Sequence, residues 1–397
     1  MSPHVGAMLA IFAVTLAVSL GLTPLVRRFA IQRGMVDKPG AARRVHIVPV
    51  PRLGGLAMYA AFAIGILLMF GLNVHSLQAP LKGNGLFEPA RILFALAGAG
   101  IVTLVMAVDD VRGVRPIPRL LWQIGAALLV ILPALFWPGQ PNEIAPGVFE
   151  PAGTLHYDQG AGVLALSVQN PFGGAIVLPL AVAVVFTIFW IVGMTNTINW
   201  IDGLDGLAGG VSVVACLVMF IITLRLEQYT LAYLPLILGA ATLGFLPYNI
   251  HPARIFMGDS GAMFLGFALA VISIIGGAKM ASVLLVLGIP LLDGVYMIIY
   301  RLYRGRSPLS ADRGHLHHRL LDIGFSQQQV VFIFYLLCGI FGVLAFLLTS
   351  TTDTLIILGF ELPRGLYKLF ALALLVVVLV GLMVFITRRT FDKASKR

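Results

Sequence analysis

Five aspartates lie in three short glycine-rich segments, and each segment interrupts a strongly apolar stretch of the chain. They are Asp109 and Asp110 in AVDDVRG, Asp202 and Asp205 in NTINWIDGLDGLAGG, and Asp259 in IFMGDSGAMF. A carboxylate beside the hydrocarbon core of a membrane is costly unless a cation, water or a hydrogen bond compensates it. Two carboxylates about 4 Å apart repel by about 4 kcal/mol at an effective dielectric of 20. Such a cluster calls for a divalent cation, and Mg²⁺ beside a phosphate-bearing substrate suits it best. The aspartates therefore predict a membrane-embedded, Mg²⁺-dependent enzyme that handles phosphates.

The segment from Asn196 to Gly210 carries the most specific of these patterns. Asn199, Asp202 and Asp205 are spaced three residues apart, which places them along one face of a helix or tight helical turn. The glycines between and after them let a backbone or a ligand approach closely. The pattern predicts a nucleotide or metal site. A glycine-rich packing seam is the alternative, but it has no need for paired acids.

Asp109 and Asp110 are adjacent at the end of an apolar stretch. Adjacent residues on a helix point about 100° apart, so the two carboxylates cannot serve one ligand position in the same way. One is expected to touch metal or act as a base, while the other faces a substrate or a basic partner. The alternative is an acidic helix end at the membrane interface, although a helix C-terminus favours cations over anions.

The GDSG sequence opens another apolar run. Asp259 is placed to cap the helix that follows, and the same geometry would leave backbone N–H groups facing an anion such as phosphate. Just upstream, Asn249 offers an amide and Phe256 an aromatic face. These are the groups that read a nucleobase by hydrogen bonding and stacking. The segment predicts direct metal binding by Asp259, with helix capping as the alternative.

A basic loop, RLYRGRSPLSADRGHLHHRLLDIG, holds five arginines together with His315, His317 and His318. Hard oxygen ligands are expected close by, and no thiolate accompanies the histidines. Phosphate recognition is therefore a better use for them than zinc binding. A solvated basic loop is the third option.

The composition excludes a soluble globular protein. With 59% hydrophobic residues, 11% charged residues and a mean hydropathy of +0.97, the chain is predicted to be an all-α, polytopic integral membrane protein. Pro290 and Gly294 predict a bend in the ninth of its spans, which also contains Asp293. Cys216 and Cys338 fall inside spans and indicate buried thiols. The eleven predicted spans are 5–26, 53–72, 92–108, 118–138, 174–194, 207–223, 231–247, 261–278, 281–300, 330–349 and 367–387.

Lysine and arginine are distributed unevenly between the two sides of this topology. With the N-terminus outside and the C-terminus cytoplasmic, 21 of the 27 basic residues fall in cytoplasmic segments. Residues 1–397 are then a single integral domain of the plasma membrane, and the net charge of +10 lies mostly on its cytoplasmic face. The connection at about 139–173 is outside. The motifs lie in cytoplasmic loops at about 27–52, 109–119, 195–207, 248–260 and 301–329.

Five ordered motifs on this face together resemble the polyprenyl-phosphate N-acetylhexosamine-1-phosphate transferases of glycosyltransferase family 4. From residue 37 to about 324 they read RRVHIVPVPRLGG, the aspartate pair, NTINWIDGLDGL, PYNIHPARIFMGDSGAMFLGF and DRGHLHHRLLDIGFS. Three features depart from the branch of phospho-MurNAc-pentapeptide translocases. Arg52 replaces a lysine, Leu316 interrupts the histidine run, and Arg119 is the nearest basic residue after the aspartate pair. The chain is more similar to the undecaprenyl-phosphate GlcNAc-1-phosphate transferase branch.

The resemblance implies an enzyme that joins a soluble UDP-sugar to a membrane polyprenyl phosphate, with Mg²⁺ as cofactor and Mn²⁺ as a substitute. It makes Asp259 the principal Mg²⁺ ligand and Asp109 and Asp110 the catalytic acid pair. Asn199 and Asp202 line the catalytic centre and are further candidate metal ligands. The implied substrate-binding residues are Asp205, Asn249 and Phe256 for the uridine, His315, His317 and His318 for the diphosphate or its leaving group, and also Arg52 and Arg313.

The implied function is transfer of GlcNAc-1-phosphate from UDP-GlcNAc to undecaprenyl phosphate at the cytoplasmic face, with release of UMP. This would be the first membrane step of a cell-envelope glycan such as lipopolysaccharide or teichoic acid. The implied partners are the UDP-N-acetylhexosamine, the lipid, the membrane and a second copy of the chain, without nucleic acid. The rival functions are a phospho-MurNAc-pentapeptide translocase and, from another class, a cation or phosphate transporter. The clustering of the acids at one face, with no visible internal repeat, argues against transport.

Overall fold

The computed structural model describes most of the predicted membrane domain. Arg313 and most of the eleventh predicted span, 367–387, lie outside its described residues. Those residues are 3–37, 49–72, 87–136, 143–145, 148–149, 162–165, 167–169, 175–275, 280–307, 314–347, 349, 354–357, 360–363, 370, 373–378 and 380–381.

Twelve helices in this part of the chain form a bundle, which confirms the predicted all-α class. They are α1 (Pro3–Gln32), α2 (Gly54–Gly71), α3 (Phe87–Arg112), α4 (Pro116–Phe136), α5 (Leu180–Ile201), α6 (Leu207–Arg225), α7 (Tyr229–Asn249), α8 (Gly258–Ile275), α9 (Met280–Val286), α10 (Gly288–Tyr303), α11 (Leu316–Asp322) and α12 (Gln327–Leu347). The strands are short and form four antiparallel pairs: β1 (Val36–Asp37) with β2 (Val50–Pro51), β3 (Glu143–Ala145) with β4 (Val148–Phe149), β5 (Ser167–Gln169) with β6 (Ala175–Val177), and β7 (Thr354–Ile357) with β8 (Phe360–Pro363).

Nine of the described helices are long and apolar enough to cross a membrane, and α9 with α10 would make a tenth span. These ten correspond in order to the first ten predicted spans. A membrane helix satisfies its backbone N–H and C=O groups internally, so it can be apolar on almost every side. The chain is a multi-pass membrane protein.

Helix α5 extends beyond the predicted end of its span at residue 194 and stops at Ile201. Polar residues follow the apolar run, but their side chains bond back to the helix. The Thr195 hydroxyl donates to the carbonyl four residues earlier at 2.7 Å, and the Asn196 amide does the same at 2.8 Å. Because these groups are satisfied internally, the helix continues. The extension carries Asn199 into the last turn of α5.

The predicted bend in the ninth span lies at a different position. Helices α9 and α10 meet at 78°, and the break is at Leu287, just before Pro290. Pro290 is in the first turn of α10, where its missing N–H removes no helical hydrogen bond. Gly294 does not bend α10. The Trp200 ring packs there instead, 2.5 Å from the position a Cβ would take.

Helix α8 lies at the centre of the bundle. Every residue from Ser260 to Ile275 is buried, and the helix packs against α2, α3 and α5. Tyr59 and Phe62 of α2 meet Phe264 of α8 edge-on, with ring centroids 5.7 and 5.6 Å apart. Three helices therefore fix the first turn of α8, which carries Asp259.

Candidate active site

Asp110, in the last turn of α3, caps the start of α8. Its Oδ1 accepts the Asp259 backbone N–H at 2.8 Å, and its Oδ2 accepts the Ser260 N–H at 3.1 Å and the Ser260 hydroxyl at 2.8 Å. Gly258 has φ +71, and a Cβ there would overlap the Asp110 carboxylate. Capping by Asp259, the alternative drawn from the sequence, is wrong, because Asp110 satisfies these N–H groups. The Asp259 side chain is left for other contacts.

The Asp259 carboxylate joins two further helices. Its Oδ1 accepts the Asn199 side-chain N–H at 2.9 Å, and its Oδ2 lies 2.7 Å from Nη1 of Arg119. The same guanidinium nitrogen is 3.0 Å from Oδ2 of the buried Asp109. Asp109 also accepts the Val114 N–H, which closes the turn between α3 and α4. An arginine therefore lies between two carboxylates, where it offsets their repulsion.

Polar residues of the DGLDG and YNIHP segments join the turn between α5 and α6 to the turn between α7 and α8. The Asp205 carboxylate accepts the Ala253 N–H at 3.1 Å and Nδ1–H of His251 at 2.8 Å. Asn249 accepts the Gly206 N–H at 3.2 Å and donates to the carbonyl of residue 255 at 3.0 Å. Both side chains thus hold the turn before α6 against the turn after α7.

These loops and helix ends surround a cavity of about 280 Å³. Eight of the residues predicted to be functional line it: Arg52, Asp110, Asp202, Asp205, Asn249, Phe256, Asp259 and His318. The other lining residues are Asp37, Gly203, Leu204, His251, Gly258 and Gln327. Asp109 and Asn199 are not among them but contact the site through Arg119 and Asp259.

His315, His317 and His318 lie at one wall of the cavity, and of these three only His318 lines it. His315 and His317 are buried behind that wall, and a Cβ on Gly203 would overlap the His317 ring. His317 is only 1% exposed, and neither of its ring nitrogens has a partner among the described residues. Burial, followed by the neighbouring His318 and His315, lowers the pKa of His317 well below its usual value. His317 is therefore neutral at pH 7.

Comparison with known proteins shows the family to which the chain belongs. Residues 92–277 match the family described as glycosyl transferase family 4. A Bacillus subtilis (strain 168) protein named "Probable undecaprenyl-phosphate N-acetylglucosaminyl 1-phosphate transferase" is 31% identical over 348 residues, covering 86% of this chain and 85% of that protein. The chain belongs to glycosyl transferase family 4.

Two further members of the family are similar over most of their length. The "Decaprenyl-phosphate N-acetylglucosaminephosphotransferase" of Mycolicibacterium smegmatis is 30% identical over 364 residues, covering 85% of this chain and 81% of its own. The "Undecaprenyl-phosphate alpha-N-acetylglucosaminyl 1-phosphate transferase" of Salmonella typhimurium is 28% identical over 326 residues, covering 80% of this chain and 77% of its own. The predicted family is confirmed.

The acidic side of this cavity fits a divalent cation that is shared with a substrate. Burial raises the pKa of Asp202 well above its usual value, and the nearby carboxylates of Asp259, Asp110 and Asp205 raise it further, with Arg52 opposing them. Added positive charge would relieve this repulsion. No group of three or more His, Cys, Asp or Glu side chains in the described ranges is arranged to hold a metal ion alone. Mg²⁺ commonly takes one or two carboxylates and completes its shell with water and phosphate oxygens. The acidic donors of the cavity fit Mg²⁺ by this rule.

Sequence patterns missed several residues that this family member brings to the site. Asp37 in β1 is buried and pairs with Arg52, with Oδ1 and Nη2 2.5 Å apart. His251 lies within the PYNIHPARIFMGDSGAMFLGF motif without a predicted role of its own, and Gln327 directly follows the last motif. Arg119 stands out in the sequence only as the nearest basic residue after the aspartate pair. Folding brings Asp37 to Arg52 and Arg119 to Asp259 from separate parts of the chain. Spacing along the chain therefore gave little signal for these four residues.

Proposed function

We propose that the chain transfers GlcNAc-1-phosphate from UDP-GlcNAc to a polyprenyl phosphate, preferably undecaprenyl phosphate, and releases UMP. The observation that carries this proposal is the acidic cavity. There, Asp202 and Asp259 share one space with the amide of Asn249 and the ring of Phe256. Oxygen atoms that could bind a metal ion and side chains that could contact a nucleobase therefore line the same cavity. The similar proteins bear the names of undecaprenyl- and decaprenyl-phosphate GlcNAc-1-phosphate transferases, which supports the same reaction.

Asp259 and Asp202 would hold Mg²⁺ in this proposal. When bound, the ion supplies positive charge to the diphosphate oxygens and to the departing UMP. Two contacts orient Asp259. The Asn199 amide donates to its carboxylate at 2.9 Å, and Asp110 accepts its backbone N–H at the start of α8. Asn199 uses its donor nitrogen toward Asp259, so it serves as an orienting residue and its amide oxygen remains as an acceptor.

Arg119 provides a second positive group close to the reacting phosphates. Its guanidinium reaches Asp259 and is braced by Asp109 and by the Val114 carbonyl, which accepts Nε–H at 3.2 Å. A guanidinium presents five N–H donors in a rigid fork that matches carboxylate and phosphate oxygens equally well. Arg119 can therefore stabilise charge on the transferred phosphoryl group while it stays in contact with Asp109.

The aspartate pair acts by positioning in this mechanism. The attacking lipid phosphate is largely ionised at pH 7, because the second pKa of a phosphate monoester is about 6. Little proton removal is needed before it attacks the sugar-linked phosphorus. Asp110 fixes the turn that carries Asp259, and Asp109 holds Arg119. In this proposal the pair positions other groups, whereas the sequence leaves one of the two as a candidate base.

The uridine is assigned to the side of the cavity formed by Asn249, Phe256 and Asp205. Asn249 already makes one hydrogen bond with each amide atom. An amide oxygen has two lone pairs and an amide nitrogen two N–H groups, so Asn249 keeps one donor and one acceptor for a nucleobase. Phe256 supplies an aromatic face, and Asp205 keeps the two loops together.

A substrate panel with purified protein tests the proposed function. UDP-GlcNAc, UDP-GalNAc and UDP-MurNAc-pentapeptide would each be offered with undecaprenyl phosphate, with Mg²⁺, Mn²⁺ or chelator. We expect Mg²⁺-dependent UMP release and lipid-linked GlcNAc from UDP-GlcNAc, with Mn²⁺ as a weaker substitute. Turnover of the pentapeptide donor alone would support the translocase function. Substrate movement into sealed vesicles without UMP release would support transport.

The proposal includes a homodimer, whose support is the family resemblance. Mass measurement of the detergent-solubilised protein should show two copies per particle. A single copy at the concentrations used for the enzyme assay would contradict it.

A further inference from the structure

Asp293 is a buried carboxylate in α10 that the proposed mechanism does not use. It lies in the membrane part of the chain, follows the break at Leu287, and is only 1% exposed. A carboxylate in such a place requires compensation. Its Oδ2 accepts Nδ1–H of His315 at 2.9 Å, and its Oδ1 accepts the Leu316 backbone N–H at 3.0 Å. Asp293 therefore holds both the first histidine and the start of α11.

His315 is the first member of a row of packed rings. One face of His315 stacks on Trp200, with centroids 6.1 Å apart and planes at 28°. His315 also stacks on His317, with centroids 5.9 Å apart and planes at 11°. Trp200 in turn packs on Gly294, the residue after Asp293, where a side chain would exclude the indole. Helix α10 thus supplies both the carboxylate that holds His315 and the space that admits Trp200.

The row continues to the cavity. The His317 ring lies against Gly203, and His317 and His318 have centroids 4.3 Å apart. Gly203 and His318 both line the cavity. A displacement of His315 would therefore move His317 or leave a void beside it, because these rings are buried and closely packed. Either change would reach the cavity wall.

We propose that Asp293 is a positioning residue that sets the three histidines, and with them the cavity wall, through its bond to His315. The carboxylate accepts Nδ1–H, which fixes the orientation of the His315 ring. Asp293 does not line the cavity, so it acts through His315 and not on the substrate. This inference rests on the proposed function only for its kinetic test.

The kinetic test uses Asp293→Asn in the full chain. Asparagine keeps the side-chain volume and can accept one of the two hydrogen bonds, but it lacks the charge and the second acceptor. We expect kcat for UMP release to fall by about 10–100-fold, the usual effect of removing a partner that orients a functional histidine. The KM for UDP-GlcNAc should change much less. Retained kcat would overturn the proposal.

A matched control separates positioning from general loss of packing. Ser273→Ala in α8 also removes buried hydrogen bonds of the bundle. The Ser273 hydroxyl donates to the Ala270 carbonyl of its own helix at 2.6 Å, and it accepts the bond between helices from Nε1 of Trp190 at 3.0 Å. Those bonds involve none of the histidines, so kcat should be retained. An equal fall of kcat in Ser273→Ala and Asp293→Asn would contradict a specific role for Asp293.

The double variant tests the route of action. If Asp293 works through His315, adding Asp293→Asn to His315→Gln should lower kcat no further than the stronger single variant does. Independent structural defects would multiply instead, and that outcome would overturn the proposal.

A spectroscopic test needs no Asp293 variant to fold. In ¹⁵N-histidine-labelled wild-type protein, the signal that disappears in His315→Gln should report the Nδ1–H tautomer. The Nε2–H tautomer would refute the inference. Absence of UMP release from wild-type protein with every donor would refute the proposed function, whereas the tautomer would still decide the role of Asp293.

Discussion

At the scale of single residues, Asp259 is the proposed Mg²⁺ ligand. Its backbone is held by Asp110, and its side chain faces the cavity between Asn199 and Arg119. Asp259→Asn should keep the fold, because the cap on α8 does not use the changed carboxylate. Turnover at saturating Mg²⁺ should fall about a hundredfold or more, as expected when charge stabilisation of the transition state is lost.

The control for Asp259→Asn is Glu227→Gln, which removes an exposed negative charge in the turn between α6 and α7. UMP release by that variant should match wild type. Near-normal turnover in Asp259→Asn would remove Asp259 from the metal site.

His317 links the site to the pH dependence of stability. An unfolded chain protonates this imidazole near its ordinary pKa of 6.5, whereas burial keeps it neutral in the fold to lower pH. The unfolded state therefore binds more protons below about pH 6.5, and the stability contributed by neutral His317 is lost as the pH falls. Above pH 6.5 this dependence disappears. The raised pKa of Asp202 acts in the opposite direction, because the folded state then holds the extra proton.

His317→Gln isolates the histidine from the other titrating groups. Unfolding midpoints of both proteins in detergent, measured from pH 8 to pH 5, should diverge below about pH 6.5, with the wild type falling more steeply. Parallel curves would show that His317 is protonated in the fold or remains accessible to water.

Residue types predicted which side chains gather at the cavity better than they predicted the contacts that each side chain makes. The aspartates and Asn249 stood out because acids and amides beside apolar segments need partners. The partner of Asp110, however, is a backbone 149 residues away in the chain, so its capping role depends on the fold. Asp37 and His251 have no role predicted from the sequence, and only the fold shows that they line the cavity.

At the scale of elements, the contact between α2 and α8 determines where Asp259 lies. A Cβ on Gly55 would overlap the backbone nitrogen of Gly261 and lie 2.5 Å from its Cα. Backbone cannot give way as a flexible side chain can, so the two helices approach closely only with glycine here. Gly55→Ala should push α8 away from α2 and destabilise the protein by about 1–3 kcal/mol, as overpacking usually does.

The expected kinetic result of Gly55→Ala is a loss of turnover, because the displaced helix carries Asp259. Gly125→Ala in α4 is the matched control, since a Cβ there meets no atom within 4 Å. That variant should be at least as stable as wild type, because alanine is the better helix former. Thermal unfolding and UMP release would be measured for both. Similar behaviour of the two variants would refute the close-approach explanation.

Element boundaries show what hydropathy can and cannot predict. Apolar runs located the spans because a membrane helix must be apolar for its whole crossing. In α5 the apolar run ends before the helix does, because Thr195 and Asn196 are polar residues of a kind that often ends a helix. Their side chains instead bond to carbonyls of the preceding turn, and the helix continues. Pro290 marked the ninth span as interrupted. It could not place the break at Leu287, because proline is equally compatible with a helix start.

At the scale of the whole molecule, the structure gathers the predicted loops at one end of the bundle. The cavity takes Arg52 from the first loop, Asp110 from the second, Asp202 from the third, Asp259 from the fourth and His318 from the fifth. Hydropathy and charge predicted that these segments share a face. The contacts among them follow from helix packing, which a pattern of apolar residues does not specify.

The side of the membrane on which this end lies stays a prediction from charge. Placing 21 of 27 basic residues inside puts the cavity in the cytoplasm, where a UDP-sugar is available. Single cysteines can test it after the buried Cys216 and Cys338 are replaced. Ser307 follows α10 and Glu227 lies between α6 and α7, and both are exposed. In intact cells an impermeant maleimide should label Glu227→Cys and leave Ser307→Cys unlabelled, whereas permeabilised cells should label both. Labelling of Ser307→Cys from outside would reverse the orientation and remove the cavity from its proposed substrate.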